Sequence, residues 1–351
     1  MTLIKQQVLA LSRYEVPQEQ QIVKLNQNEF PADVPEPVKQ EILARLAATA
    51  WQRYPDGQAK ELTKAIAEYV EVPAEWVLVG NASNELIQAV VAATCESGDV
   101  MVTVSPGFAV YSRVATTLGV SVREVPLRED FSFDAEAMAE AAQGTRLVIF
   151  ASPNNPTGTS MLPDEMERLV ARVDCLVCVD EAYFEFHGES AVPLLRHHGN
   201  LVVLRTFSKG WRLAGLRLGY LVGPPGLVAE IGKARLPFSV GVFQQVAGQV
   251  VLAHRTLMQQ ATREVVNQRE KLLTRLQQMR GLVVVPSRAN FLLFRHEHVP
   301  ATRLFGALRE RGVLVRSFGG ALSQWLRVTI GTAAENQQFV AALSASLEEL
   351  G

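Results

Sequence analysis

Three observations predict an α/β protein whose large domain is a mostly parallel sheet covered by helices on both faces, with a smaller α/β domain after it. From Trp76 onward, short apolar runs alternate with segments of helical periodicity, the pattern of parallel strands joined by crossover helices. Turns rich in Gly, Ser, Asn and Pro follow those runs directly, where an open α/β sheet carries its ligand-binding loops. The length, 351 residues, exceeds the ~250–300 at which single hydrophobic cores stop growing, so two domains are expected.

Residues 1–35, broken by Pro17, Pro31 and Pro35, read as an arm of the kind that reaches a neighbouring subunit. Residues 36–235 read as the large domain, and 236–351, with part of the N-terminal segment, as the small one. Helices are predicted over 36–48 and, after the turn Tyr54-Pro55-Asp56-Gly57, over 58–69. Buried strands follow at 76–79, 100–104, 147–151, 175–179 and 201–204, with helices at 83–94, 108–118 and 163–173. Helices over 242–253 and 255–279 then lead into strands at 282–285, 291–294, 313–315 and 326–330, which alternate with helices at 301–311 and 333–349.

Composition narrows the class. With 48% hydrophobic residues, 20% charged and a formal net charge of −2, the chain lacks the basic excess of a nucleic-acid binder and the polarity of a disordered protein. No run approaches the ~20 apolar residues of a membrane span, and no charged-then-apolar leader opens the chain, so a cytoplasmic enzyme is expected. Three cysteines, an odd number, argue against a disulfide framework. Cys175 and Cys178 fall inside an apolar strand, which makes them core residues and not a metal or redox pair.

The turns carry the candidate chemistry. Lys209 stands in a turn after the apolar run 201–204, with the hydroxyls of Thr206 and Ser208 before it and Arg217 eight residues on. One amine, two hydroxyls and a second cation suit a site that holds a phosphate while the amine reacts with an aldehyde, which describes pyridoxal phosphate bound as a Schiff base. Alone, the stretch also reads as a basic surface turn. Gly80-Asn81-Ala82-Ser83-Asn84-Glu85 opens a helix whose N–H groups can bind an anion, or which Ser83 simply caps. Phe108 can stack on a planar ligand or fill the core. Asn155, in Ser152-Pro153-Asn154-Asn155-Pro156-Thr157-Gly158, can donate to a phenolic oxygen or merely shape a turn. Asp180, ending a buried strand, needs either a protonated pyridine nitrogen or backbone N–H groups as partner.

In order, Gly-Asn-x-Ser, Pro-x-Phe-x-x-Tyr, Ser-Pro-Asn-Asn-Pro-Thr-Gly, Asp-Glu-Ala-Tyr and Ser-Lys with Ala-Gly-Leu-Arg-x-Gly-Tyr resemble the motifs of the fold type I pyridoxal-phosphate aminotransferases. Within them the chain looks most like the histidinol-phosphate aminotransferases, from Leu25-Asn26-Gln27-Asn28-Glu29 to the segment 326–332. The resemblance implies that Lys209 bonds the cofactor, Asp180 pairs with its ring nitrogen, and Asn155 and Tyr183 hold its phenolic oxygen. Phe108 takes the stacking position, and Ala82, Ser83, Thr206, Ser208 and Arg217 take the phosphate. Tyr54 takes the place of the tyrosine that reaches this phosphate from a partner subunit, so a homodimer is expected. Arg327 and Arg316 resemble the substrate-binding arginines, with Tyr14 and Asn28 closing the pocket.

The expected reaction moves an amino group between L-histidinol phosphate and 2-oxoglutarate. Aromatic amino-acid transamination and phosphothreonine decarboxylation are the rival activities on the same fold. Two stretches depart from the family pattern: Glu29-Phe30-Pro31 replaces Glu-Asn-Pro, and Gly210-Trp211-Arg212 replaces the small or aromatic pair after the lysine. Phe30 and Trp211 are the residues that would line an apolar pocket in the aromatic reading.

Overall fold

The computed structural model describes residues 3–13 and 23–351. A two-residue strand, β1 (Val23–Lys24), comes first. Seven strands then form the main sheet: β2 (Val77–Gly80), β3 (Val100–Ser105), β4 (Ser121–Pro126), β5 (Leu147–Ala151), β6 (Leu176–Asp180), β7 (Leu201–Thr206) and β8 (Gly219–Val222). Five short strands follow, β9 (Leu282–Val285), β10 (Phe291–His296), β11 (Val313–Leu314), β12 (Arg316–Ser317) and β13 (Leu326–Thr329).

The main sheet runs β2-β8-β7-β6-β5-β3-β4. Only β8 is antiparallel to its neighbours, β2 and β7. Strands β5 and β7 are buried at every position, which is why they read as unbroken apolar runs; each faces helices on both sides. Two apolar clusters, one on each face of this sheet, make the large-domain core. The sequence pattern does not reveal β4 or β8. At the edge, β4 is mostly exposed and carries Arg123 and Glu124, while β8 is four residues long and follows the lysine turn directly.

The small domain is an antiparallel sheet, β12-β13-β10-β9, packed on the helices Arg255–Gln277, Ala301–Glu310 and Ala333–Leu350. One expected boundary shifts, and part of the N-terminal segment joins the small domain. The helix Val242–Ala253 packs on Glu36–Ala47 and Lys60–Val70, and its Ala247, Val250 and Val251 lie in the large-domain core. Apolar burial on those helices, and not chain order, decides where the large domain ends. At the other end, the last part of the arm is packed: β1 pairs in parallel with β11 and Leu25 lies in the small-domain core. All three cysteines are free and buried. Among the described residues no helix is long and apolar enough to cross a membrane.

Candidate active site

A cavity of about 670 Å³ opens beyond the C-terminal ends of β3, β5, β6 and β7, and it is walled on the far side by Asn26–Asn28, Arg316 and Arg327. Its floor is where the crossover topology gathers loop residues from successive strands.

Strand β6 ends at Asp180, which is 2% exposed. Its Oδ2 accepts from the Tyr111 hydroxyl at 2.8 Å and its Oδ1 from the Ala182 N–H at 3.0 Å. Burial pushes the carboxyl up to about 6 against the pull of these two donors. No cation forms an ion pair with it among the described residues. Tyr111, in the Pro-x-Phe-x-x-Tyr motif, is a site residue to which the sequence assigns no role. The signal is its spacing, one helical turn beyond Phe108, whose ring meets it edge-on at 5.4 Å.

Strand β7 leads into the lysine turn. The Lys209 ammonium donates to the Gln27 carbonyl at 3.1 Å. Burial, and then the charge of Arg327, pushes its pKa down to about 7. The Thr206 hydroxyl is engaged in shaping the turn, donating to the Leu218 carbonyl and accepting from the Ser208 N–H. Ser208 Oγ accepts from Arg217 Nη1 at 3.2 Å. Arg217 adopts a left-handed φ of 55°, and its carbonyl accepts from the Ala82 N–H at 3.0 Å, which joins the turn to the start of the helix Ala82–Thr94.

That helix has Asn81 at its N-cap and no side-chain cap. Ser83 is therefore its second residue and not its cap, and Ser83 and Asn84 line the cavity with a leading turn suited to an anion. Gly219 makes the junction possible: a Cβ there would lie 2.6 Å from the Ser83 nitrogen. Ser83, Ser208 and Arg217 are thus brought together from two sequence-distant turns.

The far wall is held by long-range contacts. Arg327 Nη1 donates to Asn155 Oδ1, leaving the Asn155 amide nitrogen as a donor, and Nη2 donates to the Asn26 carbonyl at 2.9 Å. Arg316 and Arg327 are paired directly across β12 and β13, and the Arg316 side chain makes no hydrogen bond or ion pair among the described residues. Like charges directly opposite in an antiparallel pair are unfavourable unless an anion sits between them.

Several expectations need correction or relocation. Asn28 lines the cavity and is held in place there: it is 1% exposed, its amide donates to the Tyr183 hydroxyl at 2.9 Å, and its backbone N–H donates to Thr329 Oγ1 at 2.9 Å. It wedges the N-terminal segment between the domains. Neither Phe30 nor Trp211 lines the cavity; Trp211 packs against Phe207 and Tyr69 in the core. Tyr54 is 83% exposed and stacked on Phe238, away from this chain's own cavity. Tyr14 lies outside the described residues.

The site fits the chemistry of pyridoxal phosphate: an uncapped helix start with Ser208 and Arg217 for a phosphate, a buried carboxyl lacking a cation for a protonated ring nitrogen, and an amine that gives up its proton readily. Residues 20–343 match the family model described as aminotransferase class I and II. The chain is 40% identical to a histidinol-phosphate aminotransferase of Thermococcus kodakarensis, with 97% of each chain covered. It is 41% identical to histidinol-phosphate aminotransferase 1 of Carboxydothermus hydrogenoformans, with 92% of each covered. Its fold matches the crystal structure of histidinol-phosphate aminotransferase from Sinorhizobium meliloti in complex with pyridoxal-5′-phosphate, at a TM-score of 0.89 and 24% identity, covering 100% of this chain and 99% of that one.

Proposed function

The chain belongs to the class I and II aminotransferases, and from that premise we propose that it transfers an amino group between L-histidinol phosphate and 2-oxoglutarate with pyridoxal 5′-phosphate as cofactor. The observation that carries the substrate reading is the Arg316–Arg327 pair, set directly across two strands on the wall of the cavity that holds Lys209. A phosphate has enough oxygens for both guanidinium groups, and 2-oxoglutarate offers two carboxylates. The aromatic alternative loses its pocket, because Phe30 and Trp211 lie outside the cavity.

When bound, the cofactor supplies an aldehyde that condenses with amines and a protonated ring that draws electrons from the carbon bearing the amine. The protein's part follows from its own groups. Ser83, Ser208 and Arg217 hold the phosphate. Asp180, fixed by Tyr111, keeps the ring nitrogen protonated, and Asn155 and Tyr183 hold the phenolic oxygen, with Phe108 against the ring. Lys209 Nζ, with a pKa near 7, can take a proton from substrate carbon and return it elsewhere.

Tyr54, exposed beside Phe238, completes the phosphate site of a second copy, so the working form is a homodimer. Three free thiols suit a reducing cytoplasm. Steady-state kinetics test the substrate reading. Histidinol phosphate should exceed histidinol and phenylalanine by at least about tenfold in kcat/KM, a difference of about 1.4 kcal/mol. Equal or faster turnover of phenylalanine would install the aromatic reading instead.

A further inference from the structure

The two stretches that depart from the family pattern, far apart in the chain, touch in the fold. The Arg212 guanidinium lies 4.3 Å from the Phe30 ring centroid, and its Nη1 donates to the Asp33 carbonyl at 2.6 Å. Arg212 holds a left-handed φ of 64°, a conformation that a non-glycine residue keeps only when its surroundings fix it. Next to it, Trp211 is 1% exposed and donates its indole N–H to Glu185 Oε1 at 2.8 Å. Gly210 has no room for a side chain, since a Cβ would meet that of Glu185 at 2.6 Å. On the short helix Phe184–His187, the neighbour of Glu185 is Phe186, whose ring stacks on Phe30 at 6.5 Å.

These contacts close on themselves. Trp211 meets Glu185, the backbone leads to Phe186, that ring meets Phe30, Phe30 meets Arg212, and Arg212 is bonded to Trp211. Lys209 stands two residues before Trp211, and its Nζ reaches the Gln27 carbonyl in the segment that carries Phe30. We propose that Phe30, Glu185, Trp211 and Arg212 form a single clamp that positions Lys209, so that both departures from the family pattern are parts of one device. A surface loop held only by its own backbone would let the amine swing into solvent; the clamp fixes the turn against a helix on one side and the N-terminal segment on the other.

The inference rests on Lys209 being the reactive amine, which borohydride fixation of the cofactor and peptide mapping test separately: a label on another lysine ends that reading whatever the clamp does. The clamp is tested on the full chain freed of cofactor, by following acetylation of Lys209 against pH with peptide mass mapping. The charges that face Lys209, namely Arg327, Glu29, Arg217 and Asp180, are unchanged in every variant used. Wild type should be half-reactive near pH 7, the lowered value of the held lysine. Trp211→Phe keeps the ring and loses the N–H, and Phe30→Leu removes the stacked face. Each should raise the midpoint by at least about half a unit toward the ordinary lysine value, and in the holoenzyme lower kcat by roughly threefold to tenfold with KM within about twofold.

Glu185→Gln keeps an acceptor oxygen for the indole and should behave as wild type. Because a ring opened once is open, the Phe30→Leu, Trp211→Phe double variant should fall little below the worse single variant. Wild-type labelling in either folded single variant would overturn the clamp, and so would effects that multiply as independent changes do. Phe30 is only partly buried, so Phe30→Leu carries the test should Trp211→Phe not fold.

Discussion

Asp180 and Lys209, on the floor of the cavity, stand at or just beyond the C-terminal ends of parallel strands, whereas Arg316 and Arg327, on the opposite wall, sit within two antiparallel strands directly across from each other. The floor groups are titratable and displaced from their ordinary values, the carboxyl upward and the amine downward, chiefly by burial. The wall arginines act by where their guanidinium groups point. On the proposed function, one region moves protons and the other recognises anions. Substitutions should separate the two: changes on the floor should reduce every reaction alike, and changes on the wall should alter which substrate is preferred.

The largest effects belong to the floor. Lys209→Ala should lower kcat by at least about a thousandfold for every amino donor, since no other described amine lines the cavity. Asp180→Ala should cost roughly a hundredfold or more. Tyr111→Phe, which removes one of the two donors to Asp180, should cost about threefold to tenfold. Single-turnover rates with histidinol phosphate and with glutamate measure this; a floor variant that spared one donor and not the other would break the division of labour.

Next come the wall residues. Removing one partner of a charged, partly buried contact costs about 2–5 kcal/mol, so Arg327→Ala should reduce kcat/KM for histidinol phosphate by roughly thirtyfold or more. Arg316→Ala, at a half-buried position, should lose less and narrow the preference over histidinol. If histidinol and histidinol phosphate fell together in Arg316→Ala, that residue would not read the phosphate.

The floor was legible in the sequence because its groups end or follow largely buried strands, and a run such as Leu201-Val202-Val203-Leu204 announces where the next turn must lie. Asp180, Lys209, Ser208 and Arg217 were all placed from such runs and from the family motifs they precede. Tyr111 escaped because its hydroxyl meets Asp180 across 69 residues, and nothing in its own helix marks that partner. The wall was less legible for the same reason. Arg327 is held by Asn26 and Asn155, and Asn28 by Thr329 and Tyr183, contacts that exist only after the N-terminal segment is wedged between the domains. Only the rival aromatic reading needs Phe30 and Trp211 in the pocket, and proximity in sequence to Glu29 or Lys209 does not say which way an aromatic ring points.

The smallest effect isolates the floor in the chain without its cofactor, and its sign is fixed by linkage. Lys209 falls from 10.5 in the unfolded chain to about 7 in the fold. Between those values the unfolded state binds more protons than the folded state, so the cost of burying the charge, full below about pH 7, is relieved as pH climbs toward 10.5. Asp180 works the other way in a lower window: its folded value of about 6 lies above its ordinary 3.8, so its contribution to stability declines as pH rises from about 4 to 6. Glu185, pushed up by burial from 4.5 to about 7, acts in the same direction as Asp180 up to about pH 7, and Cys95, pushed up to about 11, opposes Lys209 only above its ordinary 9.0. Between pH 7 and 9, then, Lys209 dominates the slope. The midpoint of urea unfolding should rise across that interval in wild type and stay flatter in Lys209→Met, whereas Arg316→Ala, which leaves Lys209 in place, should keep the wild-type slope. A wild-type slope in Lys209→Met would show that the floor amine is not held in the lowered state on which its role as a proton carrier depends.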